Sequence, residues 1–93
     1  MIISFGDKDT GKIWGGERVK NMAIDFQEIA RRKLRMLNNS QNLTDLQVPP
    51  SNRLEKLKGN LKDFYSIRIN SQWRIIFKWE GGNASEVEII DYH

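Results

Sequence analysis

The chain has no cysteine and a single histidine among its 93 residues. The first absence removes disulfide staples and thiolate metal sites, and the second leaves no His-rich cluster to hold an ion. No glycine-rich phosphate loop is present, so neither a metal nor a nucleotide cofactor is expected. Serine-nucleophile chemistry lacks an internal histidine partner, because the one imidazole is His93. No apolar run approaches the length of a membrane span. Met1 to Phe5 is too short for a signal peptide and has no basic segment before it. These absences point to a soluble, cytoplasmic protein without membrane attachment. Proline is confined to the pair Pro49-Pro50, and there are no repeats, low-complexity tracts or linkers, so one domain over residues 1–93 is expected.

What is present is a globular composition with uneven charge. Hydrophobic residues make up 39% and charged residues 29%, enough for one core and too polar for a membrane protein. The net charge of +3 hides an asymmetry. Between Arg31 and Lys78 eleven Lys and Arg face three acids, whereas the flanks carry four bases against nine acids. Concentrated positive charge steers polyanions and binds phosphates by counterion release, which favours nucleic acid or an acidic protein as partner. The competing reading is a merely solvated surface.

The pattern predicts an α+β architecture. Met1 to Phe5 reads as a short N-terminal strand, and Asp9 or Thr10 as the cap of a brief helix through Trp14 that Gly15-Gly16 ends. From Met22, the residues Phe26, Ile29, Ala30, Leu34 and Leu37 recur at three- and four-residue steps and make one helical stripe, with Arg31, Arg32 and Arg35 outside it. Asn38-Asn39-Ser40 stops this helix. One more turn is expected over Leu43 to Leu46 after Asn42, and Pro49-Pro50 then extends or turns the chain. Ser51 to Asn60 reads as a loop or short strand pinned by Leu54 and Leu57. Phe64 to Asn70 and Gln72 to Trp79 form strands around a turn at Asn70-Ser71, and Gly81-Gly82-Asn83 leads into Glu86 to Ile90. Helices and the N-terminal strand therefore pack on one face of a mainly antiparallel sheet.

Strand alternation sorts the polar residues. Ile67 and Ile69 face a core while Ser66, Arg68 and Asn70 look the other way, so one face holds and the other touches. Such a surface on a small basic protein suits RNA binding or cleavage. Cutting RNA without a metal requires a base for the 2′-hydroxyl, fixed cations for the phosphate and an acid for the leaving 5′-oxygen. Arg74 offers a planar clamp for phosphate and Lys58 a compact second charge, although an exposed cation is the ordinary fate of either. His93 titrates near neutral pH, its α-carboxylate is a further base, and Tyr92 can donate a proton or stack; a frayed end is the plain alternative. Glu55 is another candidate base, with an ion pair to Arg53 or Lys56 as the default. Gln72 can read a base edge or belong to the turn. Trp14, Trp73 and Trp79 are more often core anchors than stacking platforms.

Taken together, Asn52-Arg53-Leu54-Glu55-Lys56-Leu57-Lys58-Gly59-Asn60, Ser66 to Phe77 and Asp91-Tyr92-His93 resemble the HigB toxins of bacterial toxin–antitoxin modules, within the RelE/ParE superfamily. The resemblance covers essentially the whole chain. It implies a microbial RNase-like fold and a ribosome-dependent endonuclease that cuts messenger RNA in the decoding site. It also implies a HigA-type antitoxin with a helix-turn-helix domain, which neutralises the toxin and brings the complex to operator DNA. Carried over by motif, Lys58 and Arg74 stabilise the scissile phosphate, Gln72 stands where the family often has Asn near the bases, and Tyr92 and His93 close the site. Arg53 and Arg68 join Gln72 as RNA contacts. One departure is Glu55, where a branch of the family has His, which leaves Glu55 and His93 both open as the general base. The alternative within the superfamily is a ParE-type gyrase poison without nuclease activity; another is an RNA-binding module that does not cut.

Overall fold

A computed structural model describes residues 1–20 and 22–91. The first helix, α1 (Lys8–Trp14), starts at Asp7, whose carboxylate accepts the Thr10 amide at 3.3 Å. Asp9 and Thr10, expected as caps, lie inside the helix instead, because Asp7 has the extended backbone that lets a side chain fold back on the first turn. Helix α2 (Ile24–Asn39) buries Ala30, Leu34 and Leu37 as the periodicity requires. Its stripe departs from expectation at two places: Ile29 is 37% exposed, and the polar Gln27 is buried. Gln27 earns an interior position by hydrogen bonding, since its carboxamide accepts the Val19 amide and donates to the carbonyls of Val19 and Met22. Arg31 then donates to the Ile13 carbonyl at 2.8 Å, placing a cation on the C-terminal turn of α1 and joining the helices.

After a 3-10 turn at Leu43–Gln47, closed by a reciprocal capping box between Asn42 and Asp45, come β1 (Glu55–Lys56), β2 (Tyr65–Arg68), β3 (Trp73–Glu80) and β4 (Asn83–Asp91). They form one antiparallel meander in the order β1-β2-β3-β4. The register aligns Ile67, Ile75 and Ile89 across three strands, and Arg68, Arg74 and Ile90 beside them. The first row is buried with Phe77, Val87 and Ala84 against Ile13, Ala30, Leu34, Leu37 and Leu46. Trp14, Trp73 and Trp79 pack on this cluster, Trp73 with its ring 5.2 Å from that of Phe26, so all three are core anchors. Leu57 and Ile76 are also buried but lie outside that cluster; Ile76 is on the opposite face of the sheet, in the row of Glu55 and Ser66.

The N-terminal segment pairs with β4 through two isolated parallel bridges, Ile2 with Ala84 and Phe5 with Val87, rather than as a continuous strand. Its backbone and side chains still consume the outer edge of β4. Ile3 donates to the Ala84 carbonyl, Ala84 to Met1, Val87 to Ser4 and Gly6 to Val87, while the Glu86 amide goes to the Ser4 hydroxyl. Further along, the Ile89 amide donates to Thr10 Oγ1 at 2.9 Å in a buried setting. An edge that would otherwise template another chain is thereby closed. Gly6 lies close against this edge: a Cβ there would stand 3.2 Å from the Glu86 carbonyl oxygen and would push the end of the Glu88 side chain aside. Among the described residues no helix is long and apolar enough to cross a membrane.

Thr10→Val keeps the shape but removes the acceptor of the Ile89 amide. It is expected to cost about 1–3 kcal/mol in urea unfolding, the usual penalty for an orphaned buried donor. A second expectation concerns pH. Burial, and then the nearby Asp7 charge, push the Glu88 carboxyl above its ordinary range. The folded state thus holds that proton more tightly than the unfolded chain, so the ionised carboxylate opposes folding above its raised pKa. The opposition vanishes as the pH falls below the unfolded value. Glu88→Gln is expected to raise the urea midpoint at about pH 7 and to bring no gain at about pH 3.

Candidate active site

The polar face of the sheet is built from the loop upward. Asn52 is fully buried and acts as its anchor: Nδ2 donates to the Leu46 carbonyl at 3.1 Å and to Val48 at 3.4 Å, and contacts Met36 Sδ, while Oδ1 accepts from Lys33 Nζ. Burial, and next the Arg32 charge, lower the Lys33 pKa. Arg53 follows with a left-handed φ of 46°, a conformation that costs free energy in a non-glycine residue and turns its carbonyl toward β3. Leu57 is buried, its amide donates to the Phe64 carbonyl, and Leu54 packs on the core, so both expected pins hold β1 in place.

That arrangement delivers an acid and a base to one point. Glu55 pairs in register with Ser66, and Arg74 reaches diagonally across β2 to meet both. Arg74 Nη1 lies 3.1 Å from Glu55 Oε1, 2.9 Å from Ser66 Oγ and 3.5 Å from the Arg53 carbonyl oxygen. The expected partners of Glu55 were its sequence neighbours Arg53 and Lys56. The sheet supplies Arg74 instead, because in register the side chains of Glu55 and Arg74 share a face and are separated only by the small Ser66. Ser66 itself was expected on an open surface and is fully buried, covered in part by that guanidinium.

Arg68 stands directly opposite Arg74, an arrangement in which like charges repel. Arg68 Nε donates to the Asn70 carbonyl at 3.0 Å. With Arg53 the two arginines line a cleft of about 190 Å³ whose other walls are Asn70, Ser71 and Gln72, with no carboxylate among its lining residues. Asn70 Oδ1 accepts the amides of both Gln72 and Trp73, pinning the turn, and Gln72 Nε2 donates to Asp91 Oδ2 at 3.1 Å. Gln72 is therefore both a turn residue and a side chain held at the cleft. Three arginines lining one small cleft suit it to a phosphate or other oxyanion.

Lys58 does not line this cleft. It lies in an adjoining one of about 370 Å³ with Glu55, Lys56, Leu57 and Leu61. Glu55 joins the two, lining the second while paired to the arginine of the first. The structure thus brings Glu55, Arg53, Arg68, Gln72 and Arg74 together and sets Lys58 alongside. Tyr92 and His93 lie outside the described residues. Sequence reasoning set Ser66 and Asn70 on the outward face and Asn52 and Asp91 within the family motifs, but gave none of the four a part in building the site. Among the described residues no group of three His, Cys, Asp or Glu side chains is placed to hold a metal ion.

A family model described as the RelE-like toxin of type II toxin–antitoxin system HigB matches residues 4–93. The chain belongs to the HigB-like toxins. It is 53% identical over 85 residues to Toxin HigB-1 of Vibrio cholerae serotype O1, covering 90% of each chain. An uncharacterized Haemophilus influenzae protein is 35% identical over 78 residues, 84% of this chain and 76% of its own. A shorter match, 37% over 41 residues, covers 44% of this toxin and 45% of a Proteus vulgaris protein named Endoribonuclease HigB. Two helices on a four-stranded antiparallel sheet agree with the RelE-like fold of this family.

The geometry makes Glu55 an internal anion that competes for Arg74. Glu55→Gln removes that competitor, and phosphate is expected to bind the cleft about two- to fivefold more tightly, in line with the ~0–1 kcal/mol worth of a half-exposed ion pair. An NMR titration with inorganic phosphate checks this, and an unchanged Kd contradicts it.

Proposed function

We propose that this toxin is a metal-independent endoribonuclease that cuts messenger RNA in the ribosomal A site and so inhibits translation. The observation that carries the reading is the three-arginine cleft with a carboxylate at its margin, paired to the central arginine. The Proteus vulgaris relative named as an endoribonuclease supports it. In this scheme a base takes the proton of the 2′-hydroxyl, the resulting oxygen attacks the adjacent phosphorus, and the bond to the 5′-oxygen breaks as that oxygen gains a proton. The products are a 2′,3′-cyclic phosphate and a free 5′-hydroxyl.

Arg74 is the group that meets the charge developing on the phosphorus oxygens, assisted by Lys58 from the adjoining cleft. Glu55, displaced from Arg74 as the phosphate arrives, is a base already at the reacting centre; Tyr92 and His93 complete the acid–base set by family resemblance. Arg53 and Arg68 hold the flanking backbone and Gln72 contacts a base. Fixed guanidinium groups supply the charge that a metal otherwise would. These groups are few and partly exposed, so the ribosome's contribution is to hold the message in a reactive geometry. A HigA-type helix-turn-helix antitoxin neutralises the toxin in the cytoplasm and carries the complex to operator DNA.

Primer extension on one defined message, in a purified bacterial translation system with and without ribosomes, tests the reading. Discrete cuts confined to the translated message are expected. Arg74→Ala is expected to lower the cleavage rate about 10²–10³-fold in protein that still folds cooperatively in urea, the range found when one fixed donor to a developing oxyanion is removed. Absence of cuts with folded wild-type protein overturns it, and a gyrase supercoiling assay then addresses the gyrase-poison alternative.

A further inference from the structure

We infer that Ser66 is a positioning residue for Arg74, a neutral anchor that keeps the guanidinium at the cleft when Glu55 leaves it. The inference rests on the endonuclease reading of the cleft and adds a residue to it. Ser66 occupies the centre of β2, paired with Glu55 on one side and Ile76 on the other, and is fully buried. Its hydroxyl accepts from Arg74 Nη1 at 2.9 Å, the same nitrogen that faces Glu55. The two contacts differ in permanence. The Glu55 side chain is 46% exposed and free to swing outward, whereas Arg74 is 13% exposed and Ser66 is held by the sheet.

Chemistry distinguishes them further. A carboxylate that orients Arg74 also cancels its charge, and an incoming phosphate must displace it. A hydroxyl orients through a dipole and leaves the full positive charge to face the phosphate. Size enters too: β2 at this position separates Glu55 from Arg74, and the small serine leaves room for their diagonal contact. Once substrate has displaced Glu55, the Ser66 hydroxyl remains as a fixed, neutral contact of Arg74 Nη1. With it, the guanidinium stays pre-aimed and Glu55 is released for proton transfer, so the ordering cost is met before the message arrives.

The test pairs a rate with a direct view of Arg74. Single-turnover cleavage of a ribosome-bound message is measured for wild type, Ser66→Ala, Arg74→Ala and the double variant, and the Arg74 Nε–H signal and its hydrogen exchange are followed by 15N NMR in the free proteins. Ser66→Ala is expected to cut the rate at saturating ribosome complex about tenfold or more with KM little changed, to speed Arg74 Nε–H exchange, and to add nothing in the Arg74→Ala background. An equal loss in both backgrounds, or a wild-type rate and exchange in Ser66→Ala, overturns the inference. A wild-type protein that cuts nothing defeats the endonuclease reading instead, and the exchange data then decide by themselves whether Ser66 orients Arg74. Should Ser66→Ala fold poorly, Ser66→Gly and Ser66→Thr take its place: Thr, which keeps the acceptor, is expected to retain slow exchange, and Gly to lose it.

Discussion

The register of β3 between its two neighbours is the constraint on which the rest of the molecule depends. Ile75 must stand between Ile67 and Ile89, with Phe77 beside it, for the sheet to cover the helices. A slip of one residue would drive Arg74 and Ile76 into the core and expose the isoleucine row. That penalty also fixes the polar face, since Arg74 can meet Ser66 and Glu55 only in this pairing. Core and site are thus two consequences of one alignment. The turn at Asn70 and the closed edge of β4 reinforce it from either side.

The site is an exercise in keeping positive charge concentrated without dispersing it. Arg68 and Arg74 face each other across two strands, an arrangement that opposes folding unless a partner relieves it. Among the described contacts, relief comes from a carbonyl for Arg68, and from a hydroxyl, a carbonyl and the Glu55 carboxylate for Arg74. The hydroxyl and the carbonyls among them are neutral dipoles, which orient without neutralising. The cleft retains its potential for an oxyanion, and the exchangeable carboxylate stands at its margin. Under the endonuclease reading proposed above, that oxyanion is an RNA phosphate.

Much of this was legible from residue order. The α2 stripe, the three tryptophans as anchors, the meander and its glycine turn all follow from periods of 3.6 and 2 and from turn chemistry. Failures fell where a polar side chain found several partners distant in sequence. Gln27 is interior because three backbone groups around Val19 and Met22 satisfy it, and the buried Ser66 hydroxyl accepts from Arg74. Asp7 replaced Asp9 and Thr10 as cap, freeing Thr10 to serve β4. Glu55 found Arg74 and not its neighbours in the chain, since strand register rather than sequence distance decides which side chains share a face.

By itself the sequence determined the fold class, the basic middle of the chain, the family resemblance and the identity of Arg74, Glu55, Arg53, Arg68 and Gln72 as candidates. These follow from local periodicity, composition and motif, which are written along one dimension. Only the tertiary structure decided that Arg74 is shared between Ser66 and Glu55, that Lys58 lies in an adjoining cleft, and that Asn52 anchors the loop from inside. The reason is physical. Hydrogen bonds and ion pairs act over a few ångströms, and which groups come that close is set by strand pairing and burial across the whole chain.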